Sequence, residues 1–279
     1  MTPDTPDSSA AIAFIGGGNM ARSLIGGLVA RGHAPGQLRV AEPVAALRQA
    51  LVADYGLWAG EHGLDAAGPA GTWVLAVKPQ VMRAVCESLA PLAAARRPLV
   101  ISIAAGITTG QIDSWLGGDQ AVVRTMPNTP ALLGAGATGL YANARVQPAQ
   151  REAAEALMQA AGITAWIPDE RLMDAVTAVS GSGPAYVFLL AEAMQAAGEA
   201  QGLSADTARA LVVQTVLGAA RMLDETGEPA AVLRQRVTSP GGTTQAAIET
   251  FEAGGLRALV DAAVSAATRR GRELSAGTS

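Results

Sequence analysis

A glycine-rich turn near the start of the chain holds the first residues whose types and spacing suit ligand binding. It follows an apolar run at 11–15 and consists of Gly16, Gly17, Gly18, Asn19, Met20 and Ala21. In the spacing G-x-G-x-x-A, the first glycine permits a tight turn and the second lets the backbone approach a pyrophosphate. The small last residue lets a helix pack closely on a sheet, and the N-terminus of that helix favours anions. The turn therefore predicts dinucleotide binding, with an ordinary strand-to-helix turn as the alternative.

Glu42 lies about 20 positions beyond the turn, where an acidic residue commonly binds the ribose 2′-hydroxyl of a dinucleotide. A carboxylate there accepts a hydrogen bond from the hydroxyl and repels a 2′-phosphate, which favours NADH over NADPH. Arg22, Arg39 or Arg48 could offset that repulsion, and Pro43 could turn Glu42 out toward solvent. We expect Glu42 to bind the cofactor, and a solvated loop carboxylate is the alternative.

A second candidate binding segment, at 238–244, reads Thr-Ser-Pro-Gly-Gly-Thr-Thr. Gly241 and Gly242 would expose successive backbone N–H groups, and Thr243 and Thr244 would add hydroxyls at a helix start. Such an arrangement predicts an anion nest, for which a substrate carboxylate is the natural guest. A well-capped helix without a ligand is the alternative.

The pattern of apolar residues predicts the elements that would position these segments. Apolar runs at 11–15, 38–41, 72–77, 99–103 and 121–124, with weaker ones at 138–142 and 164–167, alternate with helical stretches such as 20–31 and 44–55. This alternation indicates a parallel sheet with helices on its faces. After residue 168, long helical stretches follow at 183–201, 205–226, 244–253 and 256–272.

We therefore predict an α/β fold in which an N-terminal Rossmann dinucleotide-binding domain is followed by an all-helical C-terminal dimerisation domain. The expected division is a disordered lead-in at 1–10, the Rossmann domain at 11–167 and the helical substrate and dimerisation domain at 168–279. Apolar residues surround the whole axis of the helix at 205–226, with Ser204 as its expected N-cap. A helix that is apolar all round must be buried on all sides. We expect two chains to interleave these helices as a homodimer, which higher oligomers could extend.

Composition excludes several classes of function. The formal net charge is −4 and no basic block occurs, so we expect no nucleic-acid partner and no binding to an anionic membrane surface. No apolar run is long enough to span a bilayer. Cys86 is the only cysteine, which excludes an internal disulfide and agrees with a cytoplasmic location. His33 and His62 are the only histidines, so we predict neither a metal site nor a histidine-based triad.

Six segments together resemble the pyrroline-5-carboxylate reductase family, in the family's order and over nearly the whole chain. They lie at 15–21, 76–80, 102–106, 124–130, 180–186 and 237–244. The resemblance implies reduction of L-1-pyrroline-5-carboxylate to L-proline with NADPH or NADH, the last step of proline biosynthesis. It also implies a Rossmann domain followed by a helical dimerisation domain. One departure is the stretch Glu61-His62-Gly63, where the family often has an Asn that touches the cofactor, so that contact is not expected here.

The resemblance also implies roles for residues outside the glycine turn. The expected cofactor-binding residues are Ala76, Val77, Lys78 and Pro79 after one strand and Ile103, Ala104 and Ala105 after the next. The expected substrate-binding residues are Asn128, Ser239, Gly241, Gly242, Thr243 and Thr244. Thr177 and Ser180 are the expected catalytic residues, with Thr177 as the best hydroxyl to hydrogen-bond the ring nitrogen. Whether Thr177 donates a proton or orients water stays open, as do purely structural roles for Lys78, Asn128 and Thr177.

The implied substrate carries a cyclic C=N bond, which once protonated accepts hydride readily. The protein then needs mainly to hold the ring carbon near nicotinamide C4 and to anchor the carboxylate. Two other functions stay open: another imine or β-hydroxyacid-type NAD(P)-dependent reductase, and a non-catalytic dinucleotide-binding protein. A hydroxyacid enzyme would be expected to use a lysine on the helix after the domain boundary, and no lysine follows Lys78. A non-catalytic protein would not need the segments at 180–186 and 237–244 together.

Overall fold

Eight strands form one sheet in residues 11–277, the part of the chain that this computed structural model describes. The strands are β1 Ile12–Ile15, β2 Leu38–Ala41, β3 Trp58–Gly60, β4 Thr72–Leu75, β5 Leu99–Ser102, β6 Ala121–Met126, β7 Gly136–Ala142 and β8 Gly162–Trp166. Their order is β3-β2-β1-β4-β5-β6-β7-β8. All neighbouring strands are parallel except β6 and β7, which are antiparallel. This is the order of a doubly wound sheet, in which ligands bind beyond the carboxyl ends of the strands where the order reverses.

Helices cover both faces of the sheet because successive strand residues point to opposite faces. The helices that connect the strands are α1 Asn19–Ala30, α2 Ala45–Tyr55, α3 Gly63–Ala67, α4 Pro79–Arg96, α5 Thr109–Trp115 and α6 Pro148–Gln159. Ile12 and Phe14 of β1 join one buried cluster, which includes residues of α1 and α6. Ala13 and Ile15 join the other cluster, which includes residues of α3 and α4. The predicted α/β fold class is confirmed, and both weak runs, at 138–142 and 164–167, correspond to strands.

The last described strand ends at Trp166, and a helical segment follows it. It comprises α7 Met173–Val176, a π-helical turn Thr177–Gly181, α8 Gly183–Ala200, α9 Ala205–Thr226, α10 Ala230–Arg236, α11 Thr243–Ala253 and α12 Leu256–Gly277. Ser204 caps α9 as predicted, since its hydroxyl accepts a hydrogen bond from the Thr207 N–H at 3.3 Å. No helix among residues 11–277 is both long enough and apolar enough to cross a membrane.

Contacts divide the described chain at a different point from the secondary structure. One unit contains residues up to Ser182 together with those from Ala267 onward, and the other contains Gly183–Ala266. The α7 helix and the π-helical turn therefore belong with the sheet, whereas the predicted boundary at 167–168 follows the change from strands to helices. The predicted lead-in at 1–10 lies outside the described residues.

Candidate functional site

The glycine turn between β1 and α1 has the geometry of a close backbone approach. Gly16 has a φ of +105°, and a Cβ atom at this position would lie 2.6 Å from the Ala76 carbonyl oxygen. The Gly16 N–H donates to the Ala41 carbonyl at 2.8 Å, which ties the turn to the end of β2. Gly18 is the N-cap of α1 without a side-chain cap, and no atom lies within 4 Å of where its Cβ would be. The first N–H groups of a helix have no partners within the helix, so this end of α1 can accept an anion.

Of the other residues of the turn, two pack against neighbouring residues and two are at least partly exposed. A Cβ atom at Gly17 would lie 2.8 Å from the Leu51 side chain, so only glycine fits there without a shift. Ala21 is buried, as expected for the small residue that lets α1 approach the sheet. Asn19 is exposed and Met20 half-buried. The predicted dinucleotide turn therefore lies between a strand and a helix, with its open side at Gly18 and Asn19.

Glu42 is buried beside this turn and does not point out to solvent. Only 7% of the residue is exposed. One carboxylate oxygen accepts a hydrogen bond from the Gly17 N–H at 2.9 Å, and the other accepts one from the Val44 N–H at 2.9 Å. The carboxylate thus joins the glycine turn to the start of α2. Each oxygen keeps a further lone pair that a ribose hydroxyl could reach.

Arg48 is held close to Glu42 by backbone carbonyls. Its guanidinium donates to the carbonyls of Glu42 at 2.7 Å and Pro43 at 2.8 Å. A second nitrogen lies 3.7 Å from the Glu61 carboxylate. Arg48 is therefore the arginine best placed to meet a phosphate near Glu42, although such a phosphate would compete with Glu61.

The two other candidate arginines make contacts away from Glu42. Arg39 stacks on Trp58 at 3.9 Å and donates to the Asp65 carbonyl at 3.0 Å. Burial lowers the pKa of the Arg39 guanidinium, and the Asp65 carboxylate partly opposes that shift. Arg22 pairs with Asp54 and lies over the ring of Tyr55.

The segment after β4 reaches the same edge of the sheet as the glycine turn. Ala76 donates its N–H to the Ile15 carbonyl at 2.8 Å, and Val77 is half-buried. Lys78 is exposed and forms the N-cap of α4, which begins at Pro79. Because β1 and β4 are parallel neighbours, this places the predicted cofactor residues 76–79 beside the turn.

The segment after β5 lies next along this edge. Ile103 donates its N–H to the Leu75 carbonyl at 3.2 Å, and the Ala104 N–H lies 3.3 Å from the Ser102 hydroxyl. Ala104 is buried, whereas Ala105 is exposed. The structure therefore brings all three predicted cofactor segments to the carboxyl ends of adjacent parallel strands, which is where a doubly wound sheet binds dinucleotides.

Asn128, after β6, is held by backbone groups on both ends of its amide. Its Nδ2 donates to the Ser180 carbonyl at 3.0 Å, and its Oδ1 accepts from the Ala137 N–H at 2.9 Å. The residue is 9% exposed. Of the two roles that the sequence leaves open, the contacts within the chain fit the structural one.

The hydroxyls of Thr177 and Ser180 also bond within the chain. Thr177 donates to the Met173 carbonyl at 2.9 Å, and Ser180 donates to the Val176 carbonyl at 3.0 Å. Both are bonds back to the preceding helical turn, as expected for hydroxyl residues inside a helix. Each oxygen keeps lone pairs, so each hydroxyl can accept a hydrogen bond while its own proton is engaged.

A buried ion-pair network that the sequence does not reveal fixes the helix before Thr177. Arg124 of β6 lies 3.5 Å from both Glu170 and Asp174. Glu170 also accepts hydrogen bonds from the N–H and the hydroxyl of Thr109, at 2.7 and 2.8 Å. Arg124 is 4% exposed. Since removal of one partner from a buried pair is strongly destabilising, this network holds α7 against the end of the sheet.

In the second unit, the turn at 238–244 differs in detail from the predicted nest. Gly241 has a φ of +72°, but its N–H donates to the Gln245 side chain at 2.7 Å. The Gly242 N–H donates to the Ser239 carbonyl at 3.0 Å. The prediction of two exposed glycine N–H groups is therefore wrong for this conformation, because the turn itself uses both.

An anion could still bind at the start of the helix that follows this turn. Gly242 is the N-cap of α11 and no side chain caps the helix. Thr243 is exposed and Thr244 is half-buried in its first turn, where N–H groups have no partners within a helix. The two threonines are therefore better candidates than the two glycines for binding a carboxylate.

No group of three or more His, Cys, Asp or Glu residues could hold a metal ion within the part of the chain that the structure describes. Cys86 is buried, and burial raises the pKa of its thiol to about 12. This thiol therefore stays protonated and unreactive at neutral pH.

Two family descriptions match different parts of the chain. Residues 170–274 match the family described as pyrroline-5-carboxylate reductase dimerisation. Residues 11–106 match the family described as NADP oxidoreductase, coenzyme F420-dependent. The first match covers the helical segment, and the second covers the glycine turn and the strands β1 to β5.

Similar proteins cover nearly the whole chain. Pyrroline-5-carboxylate reductase of Pseudomonas aeruginosa is 53% identical over 267 residues, which are 96% of this chain and 97% of the relative. A solved pyrroline-5-carboxylate reductase of Coxiella burnetii is 45% identical, with a TM-score of 0.93 over 96% of this chain and 99% of that one. The Plasmodium falciparum pyrroline carboxylate reductase, solved with NADP bound, is 28% identical with a TM-score of 0.84, over 96% of this chain and 99% of that one. Because the likeness extends through both units at this identity, the chain belongs to the pyrroline-5-carboxylate reductase family.

Proposed function

We propose that this protein reduces L-1-pyrroline-5-carboxylate to L-proline with NADPH or NADH, as the last step of proline biosynthesis. The observation that carries the proposal is the 53% identity to the Pseudomonas aeruginosa pyrroline-5-carboxylate reductase over 267 residues. The dinucleotide turn at the carboxyl edge of the sheet supplies independent support, since a reductase of this class needs a hydride donor.

The residues of the turn fit a dinucleotide. A Cβ atom at Gly16 would strike the Ala76 carbonyl, whereas the space around Gly18 is open, so backbone can approach a pyrophosphate at the start of α1. Lys78 is exposed at the same edge and would pair with a phosphate or a ribose. When bound, the cofactor supplies the hydride that reduces the C=N bond of the substrate.

The part proposed for the side chains is to orient the substrate. A protonated C=N nitrogen is a hydrogen-bond donor, and Thr177 can only accept from it while its own proton is held by the Met173 carbonyl at 2.9 Å. The Ser180 hydroxyl likewise donates its proton to the Val176 carbonyl and can only accept a hydrogen bond from the substrate. Thr177 would therefore orient the ring through its oxygen and would not supply the proton that the nitrogen carries. The C=N nitrogen brings this proton from solvent, so the reaction needs no side-chain acid.

Thr243 and Thr244 are the residues proposed to bind the substrate carboxylate. Thr243 and Thr244 lie in the first turn of α11, where the helix dipole and the N–H groups favour an anion. Ser239, Gly241 and Gly242 shape the turn that leads into this helix.

The test is the consumption of reduced cofactor by the purified protein. We expect NADH or NADPH absorbance at 340 nm to fall only after pyrroline-5-carboxylate is added, with proline as the product. Omission of the substrate is the control for slow oxidation. No turnover with either cofactor would contradict the proposal.

The helical segment supports a further proposal, that the protein is a homodimer. Large apolar side chains of α8 and α9 are exposed in the single chain, among them Phe188 and Leu189 at 66%, Val213 at 57% and Leu211 at 56%. Only Ala208 and Val212 of α9 are buried. Exposed apolar area of this extent usually marks an interface, and the family that matches 170–274 is described by dimerisation.

Light scattering over a concentration series tests the dimer. We expect a mass of twice the 28.1 kDa chain, or an even multiple of it, at micromolar concentration. A stable and active monomer under these conditions would contradict the proposal.

A cytoplasmic location stays a prediction from the single cysteine.

A further inference from the structure

The Asn128 side chain joins three segments at the carboxyl edge of the sheet. It lies in the loop after β6, its Oδ1 accepts from the Ala137 N–H at 2.9 Å, and its Nδ2 donates to the Ser180 carbonyl at 3.0 Å. Ala137 belongs to the start of β7, and Ser180 belongs to the π-helical turn Thr177–Gly181. Both polar ends of the buried amide are thus engaged with backbone.

The Ser180 carbonyl needs this donor for a reason that is visible in the sequence. In an α-helix, the carbonyl of a residue accepts from the N–H four positions later. Four positions after Ser180 stands Pro184, which has no N–H. The backbone here is already irregular, since the Ser182 N–H donates five positions back to the Thr177 carbonyl at 2.8 Å. Asn128 supplies a donor where the regular helical donor is missing.

The π-helical turn lies directly against the end of β6. A Cβ atom at Gly181 would be 2.6 Å from the Met126 methyl carbon, so the turn and the strand end are in close contact. Gly181 therefore permits the approach, and the hydrogen bond from Asn128 to the Ser180 carbonyl fixes the position of the turn. Single π-helical turns inside α-helices frequently occur at functional sites.

We propose that Asn128 is a positioning residue that holds the turn bearing Thr177 and Ser180 in place for hydride transfer. This inference rests on the proposed reductase function and differs from the substrate contact expected from the sequence. Asn128 would act through the two hydroxyls that orient the ring. Its loss would misplace the substrate relative to the cofactor while cofactor binding, at the glycine turn after β1, continues.

The test is Asn128→Asp, which keeps the shape of the side chain. A carboxylate still accepts from the Ala137 N–H but cannot donate to the Ser180 carbonyl. We expect kcat for pyrroline-5-carboxylate to fall by about tenfold or more with KM nearly unchanged, because positioning acts on the transition state. The dissociation constant for NADH or NADPH, measured by fluorescence, should stay close to that of the unsubstituted protein.

Asn143 offers a matched control at the opposite ends of β6 and β7. Its Oδ1 accepts from the Val122 N–H at 3.2 Å, and its Nδ2 donates to the Gln120 carbonyl at 3.0 Å. Asn143→Asp therefore makes the same chemical change away from the proposed site. We expect both variants to lose stability in urea, and only Asn128→Asp to lose kcat.

The outcomes separate this inference from the proposed function. An unsubstituted protein without turnover would overturn both. An active protein whose Asn128→Asp variant keeps its kcat, raises only KM, or matches the loss in Asn143→Asp would overturn the positioning role alone. If Asn128→Asp does not fold, Asn128→Ala and Asn143→Ala replace the pair, since alanine places no oxygen opposite the carbonyl.

Discussion

Replacement of Glu42 by serine tests two roles of its carboxylate, one in the stability of the glycine turn and one in the choice between NADH and NADPH. Its oxygens accept hydrogen bonds from the Gly17 and Val44 N–H groups, each at 2.9 Å, in a setting where 7% of the residue is exposed. Hydrogen bonds to charged groups contribute roughly 1.5–3 kcal/mol each. Serine is too short to reach both N–H groups, so we expect the free energy of unfolding to fall by about 1.5–3 kcal/mol for each hydrogen bond that is lost.

The same substitution should change cofactor preference. A 2′-phosphate next to Glu42 faces a like charge, which Arg48 offsets only in part because it is bonded to two carbonyls and lies 3.7 Å from Glu61. Removal of the carboxylate should therefore raise the ratio of kcat/KM for NADPH to that for NADH by about tenfold, or 1.4 kcal/mol. A general loosening of the turn would weaken the binding of both cofactors equally, so it cancels in this ratio.

Steady-state kinetics with both cofactors and urea unfolding make up the assay. Glu61→Gln is the control for stability, because the neighbouring carboxylate that it removes is 57% exposed. We expect this control to change stability by no more than about 0.5 kcal/mol. A Glu42→Ser protein that loses stability without a change in the ratio would mean that Glu42 only holds the turn. Unchanged stability would refute the reasoning from the two hydrogen bonds.

Three further predictions concern the glycine turn, the helix start and the cysteine. Gly16→Ala should cost roughly 1–3 kcal/mol of stability, because its φ is +105° and its Cβ would strike a carbonyl, whereas Gly18→Ala, in open space, should keep stability and weaken only cofactor binding. Equal stability losses in the two would contradict this. Thr244→Val should lower kcat/KM for the substrate by about tenfold and leave the affinity for the cofactor unchanged. Thr250→Val on the same helix is the control and should change neither. Equal kcat/KM values for the two variants would reject the carboxylate site. The Cys86 thiol, whose pKa burial raises to about 12, should react with a thiol reagent at pH 8 only after unfolding, and rapid reaction of the folded protein would contradict that burial.

Local sequence patterns predicted most of the fold. The apolar runs matched strands because a strand buried on both faces of a parallel sheet must be apolar. The run at 164–167 was weak because β8 lies at the edge of the sheet, where half-buried and exposed residues alternate. The three-residue strand β3 Trp58–Gly60 was not predicted because it is too short to show a period. The antiparallel pairing of β6 and β7 was also not predicted, since strand direction depends on how the chain returns and not on the residues of the strand.

The sequence by itself determined the family, the dinucleotide turn and the change from sheet to helices, because each is written in residues close together along the chain. Only the tertiary structure decided what the polar side chains do. The Glu42 carboxylate meets an N–H that lies 25 positions away, and the Asn128 amide meets a carbonyl 52 positions away. Buried polar groups must find partners wherever the fold brings them, and spacing along the chain does not record those partners. For the same reason the glycine N–H groups at 241 and 242 looked exposed in the sequence, whereas the folded turn uses both.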